Sequence, residues 1–410
     1  MTRRTIEYAC GVVLVGLLAG VAGAATTLLL HFVEHLTYHY SFGTLLTGVG
    51  ESSPVRRAVG PMIGGLLAGF GWWMLRRRGD VPSLSATIEE QRAIPRWRMS
   101  IDAGLQVLLV GSGASLGREG APRQLAAALG DLGTSRWALT PRDRHILLAC
   151  AAGAGLGAVY SVPLGGALFA VRIVLGTWHP RAVGTALITS SLAVAVASPV
   201  THLEHSVSWP NPALSYFFVA LALVIAPLSV AIGLAFDKVM TLARPKPQFR
   251  SWTLMPTIAL AGLATGIASI WWPELPGNGR SILTISVNAG LTLSAAAVLL
   301  VLKPLLTALF LRAGAVGGMI TPALATGAAA GSVATLALNH FAGTDIQVAA
   351  ASLTCAAGVL AITQRAPAFA ALFVWELARP PYWLLLVFLV AAFTAHGIRL
   401  LLERRATADT

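Results

Sequence analysis

The sequence predicts an all-α polytopic membrane protein built from two inverted-topology repeats of short, tilted and broken helices. Three observations carry that expectation. The 410 residues are 56% hydrophobic and only 11% charged, with a mean hydropathy of +0.72, whereas a soluble domain carries about a quarter charged residues. No stretch alternates apolar and polar residues as a strand ladder does, so helices are the spanning elements. An internal repeat then divides the chain. Cys150-Ala151-Ala152-Gly153 recurs as Cys355-Ala356-Ala357-Gly358, Pro163 ahead of Ala167-Leu168-Phe169 recurs as Pro367 ahead of Ala371-Leu372-Phe373, and Gly117 with Pro122 recurs as Gly317 with Pro322. The matches keep their order, giving a first transmembrane repeat over residues 1–205, a second over 206–410, and no soluble regulatory domain. If each half crosses the bilayer an odd number of times, the halves lie antiparallel. Their loose helix ends then converge near the midplane, the usual address of a transport site.

Taken in order, Arg3 and Arg4 put the N-terminus in the cytoplasm, and residues 9–30 form an apolar run long enough to cross a bilayer. No clear cleavage site follows, so the run is a helix and not a signal peptide. Residues 31–51 are His-rich and partly acidic. A second helix, opened by Pro61, ends at Arg76-Arg77-Arg78, the strongest inside marker in the chain. Residues 79–82 form a turn feeding another helix start, and the polar stretch 89–98 is interfacial. Beyond residue 100, glycines such as Gly153, Gly155, Gly157, Gly165 and Gly166 punctuate the apolar segments. Small residues allow close helix contact in lipid, and short interrupted segments mark helices that stop inside the membrane. Residues 202–212 make a polar, proline-bearing break. Residues 243–250, with Arg244, Lys246 and Arg250, make a second cytoplasmic loop, and Glu403-Arg404-Arg405 keeps the C-terminus inside.

The formal charge of +12 does not signal nucleic acid, because the basic residues cluster between apolar runs as juxtamembrane loops do. Cys10, Cys150 and Cys355 sit in apolar or small-residue context without metal spacing, and are read as packing residues. No cofactor or metal is expected.

The stretch Gly117-Arg118-Glu119-Gly120-Ala121-Pro122 carries the chemistry. A carboxylate sits between two glycines where a new helix begins, at Glu119 or just after it. Unpaired N–H groups at such a start carry roughly half a positive charge, and glycines let an ion or a carboxylate approach the main chain. An intramembrane acid costs about 2.5–3.5 kcal/mol, which makes a functional role the default for Glu119. Two other stretches, Gly79-Asp80-Val81-Pro82 and Gly317-Gly318-Met319-Ile320-Thr321-Pro322, are also helix starts after apolar segments.

Together these stretches resemble the CLC family of chloride channels and anion/proton antiporters, over essentially the whole transmembrane core. Gly117-Arg118-Glu119-Gly120 looks like the family's Gly-Arg/Lys-Glu-Gly-Pro, with Ala121 before Pro122. Gly318-Met319-Ile320-Thr321-Pro322 looks like Gly-x-Phe-x-Pro with Ile for Phe, and Gly79-Asp80-Val81-Pro82 like a degraded Gly-Ser-Gly-Ile-Pro. The resemblance implies a homodimer in a bacterial inner membrane with one anion pore per subunit, lined by helix N-termini. It also implies that Glu119 is a gate whose ionised carboxylate occupies the anion pathway and whose protonated form swings aside, carrying a proton. Amide donors favour its charge and burial opposes it.

Three departures bear on the substrate. Gly79 stands where the family has an anion-holding serine, with Asp80 next to it, and an ionised acid facing the pore would repel anions. Asp80 is therefore expected to cap a helix or face the cytoplasm. Arg172 and Ile173 fall where antiporters carry an inner proton-relay glutamate. No tyrosine in the last helix matches the family's pore tyrosine, and His396 is only nearby. The lost serine and the lost relay acid, with Ile320-Thr321, resemble the fluoride-exporting bacterial branch, and fluoride/proton exchange is favoured slightly over chloride transport. A passive chloride channel is the alternative.

Other residues admit plainer readings. Arg118 is expected to snorkel to the cytoplasmic face, Met319 to pack, and Thr321 to bond either a backbone carbonyl or an ion. Arg172 and Glu376 correspond in the two repeats as an ion pair or as separate anchors. His31-Phe32-Val33-Glu34-His35 fits a His-x-x-Glu-His zinc signature and supports a remote reading as a membrane metalloenzyme through His31, Glu34 and His35. That reading leaves the repeat and the helix starts unexplained.

Overall fold

The computed structural model describes residues 3–41, 43–201, 209, 216–245, 249–288 and 290–408. The break at 202–212 lies outside them except for Trp209, as does Lys246. In chain order the helices are α1 (Arg3–Tyr38), α2 (Leu45–Glu51), α3 (Pro54–Arg76), α4 (Leu84–Glu89), α5 (Arg96–Gly111) and α6 (Gly120–Thr134). Then come α7 (Pro141–Tyr160), α8 (Pro163–Leu168, running into a wider turn over Phe169–Val174), α9 (Pro180–Thr201), α10 (Phe217–Ala243), α11 (Leu254–Trp271) and α12 (Arg280–Val287). The chain closes with α13 (Leu293–Arg312), α14 (Ile320–Phe341), α15 (Val348–Gln364), α16 (Pro367–Ala378) and α17 (Leu384–Ala408). Eight of these (α1, α3, α9, α10, α11, α13, α14 and α17) are long and apolar enough to cross a membrane.

Two early boundaries differ from the sequence reading. α1 does not stop near Leu30 but continues to Tyr38, because no breaker interrupts residues 31–38 and Val33, Glu34 and Tyr38 keep one face buried. The helix that ends at Arg76, α3, opens at Pro54, where the Ser53 hydroxyl accepts a hydrogen bond from the Arg56 N–H. Pro61 instead lies inside α3, on the face packed against the glycines of α11. A Cβ at Gly262 of α11 would collide with the Pro61 carbonyl, and Gly65 and Gly69 of α3 meet the α11 backbone at Ile258 and Leu254 in the same way.

α7 and α15 are the innermost elements. Every residue of α7 from Ile146 to Tyr160 and of α15 from Ala349 to Ile362 is buried, as expected of helices apolar on all sides. They carry the repeated Cys-Ala-Ala-Gly segments and end alike. α7 terminates at Ser161 and α15 at Arg365, both left-handed (φ +54° and +53°), and Pro163 and Pro367 open α8 and α16. Cys150 and Cys355 are buried there as packing residues, while Cys10 is exposed. No strand occurs among the described residues, and one isolated bridge, Gly117 with Gly318, joins the two glycine-rich breaks.

Candidate functional site

α5 ends at Gly111 and the chain turns through Gly113 (φ +106°) into an irregular run that reaches α6 at Gly120. α13 ends at Arg312 and turns through Gly314 (φ +90°) into the run that reaches α14 at Ile320. The two runs meet backbone to backbone. The Gly117 N–H donates to the Gly318 carbonyl and the Gly318 N–H donates to the Gly117 carbonyl, each at 2.8 Å. The Thr307 hydroxyl on α13 donates to the Ser115 carbonyl at 2.8 Å, and the Arg76 guanidinium at the end of α3 donates to the Gly314 carbonyl at 3.0 Å. Both loose ends are thereby fixed.

Glu119 occupies the position just before α6, with 0% of its surface exposed. Its side chain does not cap its own helix but crosses to the start of α14. Oε1 accepts from the Ile320 N–H at 2.5 Å, and Oε2 accepts from the Thr321 and Tyr160 hydroxyls, each at 3.2 Å. A β-carbon at either Gly117 or Gly318 would overlap the carboxyl group, so these two residues leave the room it occupies. An acid thus sits on the N-terminus of a 22-residue helix, where amide donors and the helix dipole favour an anion. Any anion of similar reach finds the same donors.

Of the residues singled out in sequence, Gly117, Glu119, Gly120, Ile320 and Thr321 come together here. Ala121 and Pro122 are buried in the first turn of α6, and Pro322 in that of α14. Thr321 bonds the Glu119 carboxylate. Met319 precedes α14, half-buried, with its Sδ 3.4 Å from Arg244 Nη2. Arg118 does not snorkel. It is 5% exposed, donates to the Val159 carbonyl at 3.3 Å and lies over the Tyr160 ring at 5.1 Å, because the ring and carbonyl at the end of α7 solvate its charge inside the protein.

Residues 79–82 stand apart from this cluster. Among the described residues, their hydrogen bonds go to Arg76, Arg98 and Arg250 and none reaches Glu119 or residues 317–322. Arg98 donates to the Gly79 carbonyl. Asp80 is exposed and pairs with Arg250, whose Nε and Nη2 lie 3.0 and 2.5 Å from its oxygens, and this hydrogen bond holds the Asp80 carboxyl below its ordinary range. The residue that caps α4 is Ser83. Val81 is buried in the core and Pro82 is exposed. Arg172 and Glu376 are separate anchors. Arg172 lies over Trp178, and Glu376 accepts from the Leu164 and Gly165 N–H groups at the start of α8. His396 is half-buried on α17.

The zinc reading fares worse. The His31 and His35 rings stack 6.4 Å apart and Glu34 accepts from the Tyr40 hydroxyl at 3.3 Å. No group of three or more His, Cys, Asp or Glu able to hold a metal occurs among the described residues.

Sequence reading missed Tyr160 and Asn278. Tyr160 ends α7, stacks edge-on against Phe373 at 5.6 Å and donates to Glu119, while the Asn278 amide donates to its hydroxyl at 3.4 Å. The one available signal was a polar aromatic closing a long Ala/Gly run just before Pro163.

Comparison with known proteins gives a consistent result. A family model described as "voltage gated chloride channel" matches residues 64–399. Two Escherichia coli proteins described as voltage-gated ClC-type chloride channel ClcB are 30% identical over 401 residues and 31% identical over 403, with 95% of each chain covered in both cases. A slow cyanobacterial Cl-/H+ antiporter structure superposes with a TM-score of 0.77 at 20% identity, covering 97% of this chain and 98% of its own. A CLC-type fluoride/proton antiporter superposes at 0.74 and 20%, covering 97% and 96%. At that identity the two structures speak to the fold.

Proposed function

Because this chain belongs to the voltage-gated chloride channel (CLC) family, an integral, multi-pass family of transporters and channels and not of enzymes, we propose that it exchanges a halide for protons, with Glu119 as gate and proton carrier. The observation that carries the reading is the seat of the Glu119 carboxylate on the Ile320 N–H, Thr321 and Tyr160 donors. A halide needs the same thing a carboxylate does, N–H and O–H donors at a helix start without a full cation that would hold it too long. Carboxylate and halide compete for one seat. Protonation removes the competitor's charge, weakens its hold on the donors and lets it swing out with its proton, so ion entry and proton movement share one side chain.

The equivalence of residues 117–122 with 317–322 supports two inverted repeats, 1–205 and 206–410, that meet at the seat. The inside markers Arg3, Arg4, Arg76–Arg78 and Glu403-Arg404-Arg405 support a cytoplasmic placement of both termini, in a bacterial inner membrane, and the family membership supports a homodimer. For the ion, relatives named for chloride at 30–31% identity over nearly the whole chain weigh toward chloride. The loss of serine at Gly79 and the Ile320-Thr321 pair keep fluoride in the comparison. The absence of an acid at Arg172 and Ile173 fits the fluoride branch and equally the second reading, a passive chloride channel, so it does not decide between them.

Liposomes loaded in turn with chloride and fluoride, with halide and pH recorded together, test this. The exchange reading expects proton movement driven by a halide gradient, and Glu119→Gln expects halide flux stripped of protons. Halide flux without protons in the unaltered protein makes it a passive channel. Unchanged coupling in Glu119→Gln removes Glu119 as the gate.

A further inference from the structure

A proton that reaches Glu119 needs a way on to the other face of the membrane, and Arg172 and Ile173 offer no acid for it. α5 does. Asp102 and Gln106 are one turn apart on the same face of this helix, 2% and 1% exposed. Asp102 Oδ1 accepts from Trp72 Nε1 on α3 at 2.8 Å. Asp102 Oδ2 accepts from Gln106 Nε2 at 2.8 Å, and the same amide nitrogen donates at 2.9 Å to Gln124 Oε1 on α6. Gln106 Oε1 is fully buried and accepts no hydrogen bond, and it points at Gly120, where a Cβ would collide with it. The chain of side chains therefore ends against the residue after Glu119 with a spare acceptor.

Asp102 is held differently from the buried aspartates Asp131 and Asp143. Each of those is paired with arginine, Asp131 with Arg96 and Arg144 and Asp143 with Arg181. The hydrogen-bond donors to Asp102 are neutral. Arg76 on α3 is within its electrostatic reach but spends its N–H groups on the Gly314 and Phe249 carbonyls. Both oxygens of Asp102 thus meet neutral donors, Trp72 and Gln106, and the second of these lies against the break that carries Glu119. Its place also fits. α5 begins at Arg96, six residues and about 9 Å before Asp102, beside the basic clusters Arg76–Arg78 and Arg96–Arg98 that the charge bias assigns to the cytoplasm.

We propose that Asp102 is the proton-accepting residue of the inward half of the route, exchanging protons with Glu119 through water held at the Gln106 amide. The proton passes from the cytoplasm to an Asp102 oxygen, then to a water whose other hydrogen bond is made to Gln106 Oε1, and from that water to the Glu119 carboxylate. No charge remains on the amide, which orients the water, and Gln124 keeps the amide from turning. This rests on the halide/proton exchange reading.

The test is the number of protons moved per halide in liposomes, for the unaltered protein, Asp102→Asn, Asp102→Glu and Gln106→Leu. Asn keeps the size of Asp102 and, through its one oxygen, the Trp72 hydrogen bond, but its Nδ2 accepts nothing from Gln106 and takes up no proton, so the ratio falls on the order of 10²-fold, the scale of one positioned acid–base group. Glu restores a measurable ratio, and Gln106→Leu lowers it while leaving the acid in place. Asp102→Asn and Gln106→Leu at the unaltered ratio overturn the proposal, as does a parallel loss of halide and proton flux, which marks a structural role. An unaltered protein that moves halide without protons overturns the exchange reading itself, an outcome read before any variant is made.

Discussion

Replacing Gly318 with alanine places one methyl group where the Glu119 carboxyl sits. The built β-carbon overlaps Glu119 Cδ and Oε1, closer than real β-carbons approach anything. The backbone cannot step back, because Gly318 is tied to Gly117 by two 2.8 Å hydrogen bonds. Nor does the substitution strain φ, since Gly318 is not among the residues with positive φ. The overlap therefore falls on the carboxyl group. Staying seated absorbs an overpacking cost of about 1–3 kcal/mol. Leaving forfeits the Ile320 N–H bond, worth about 1.5–3 kcal/mol to a charged group, but that choice exists without the methyl too. The methyl acts on the seated state alone, so the seated population drops relative to the displaced one by a factor of roughly 5 to 160 at 25 °C. Halide and proton fluxes recorded together from liposomes check this, with Gly50→Ala, which meets nothing within 4 Å, as the control. Fewer protons per halide are expected from Gly318→Ala. An unchanged ratio in well-folded Gly318→Ala, or a structure of it with the carboxyl still on the Ile320 N–H, refutes the reasoning.

Tyr160→Phe keeps the stacking on Phe373 and beneath Arg118 but removes one donor from the seat, and calorimetry is expected to show halide binding weaker by about 0.5–1.5 kcal/mol. Lys303 is fully buried on α13 and donates to the Leu275 and Gly277 carbonyls at 3.0 and 2.7 Å. Lys303→Met leaves both without that donor, and detergent melts are expected to show a loss of about 1–3 kcal/mol. The Asp80 carboxyl is held below its ordinary range by Arg250, so the contribution of this pair is complete above the unfolded value of about 4 and is lost as pH falls through the lower folded value. The unaltered protein and Asp80→Asn should accordingly melt with different pH profiles only under strongly acid conditions, with the difference shrinking as the acid pairs protonate.

Local chemistry was legible in the chain. Gly117-Arg118-Glu119-Gly120 reads as a helix start, and α6 begins at Gly120. The repeated Cys-Ala-Ala-Gly segments fall on α7 and α15, which end in the same left-handed turn. What escaped reading depends on partners far away in sequence. Arg118 looked like a charge in need of water because its solvating ring, Tyr160, arrives only when α7 packs back against it. The role of Tyr160 is hidden for the same reason, its hydrogen bond to Glu119 spanning 41 residues. Pro61 looked like a beginning because proline favours first turns. Only the glycines of α11, two hundred residues later, reveal a mid-helix position packed backbone to backbone. Asp80 is out of place in an anion path on its charge alone, but residues 79–82 do not reveal its partner Arg250, 170 residues further on.

The paired hydrogen bonds between Gly117 and Gly318 have a consequence for how the molecule is made. The acid emerges from the ribosome with the first half of the chain, while the Ile320 amide that receives it lies 201 residues further on. Until that amide is synthesised, inserted and brought alongside, the Glu119 carboxyl waits in the bilayer without the Ile320 donor of its seat. Completion of this narrow seam is therefore a late event in biogenesis. A nascent chain halted near its middle would be membrane-inserted yet lack the finished passage.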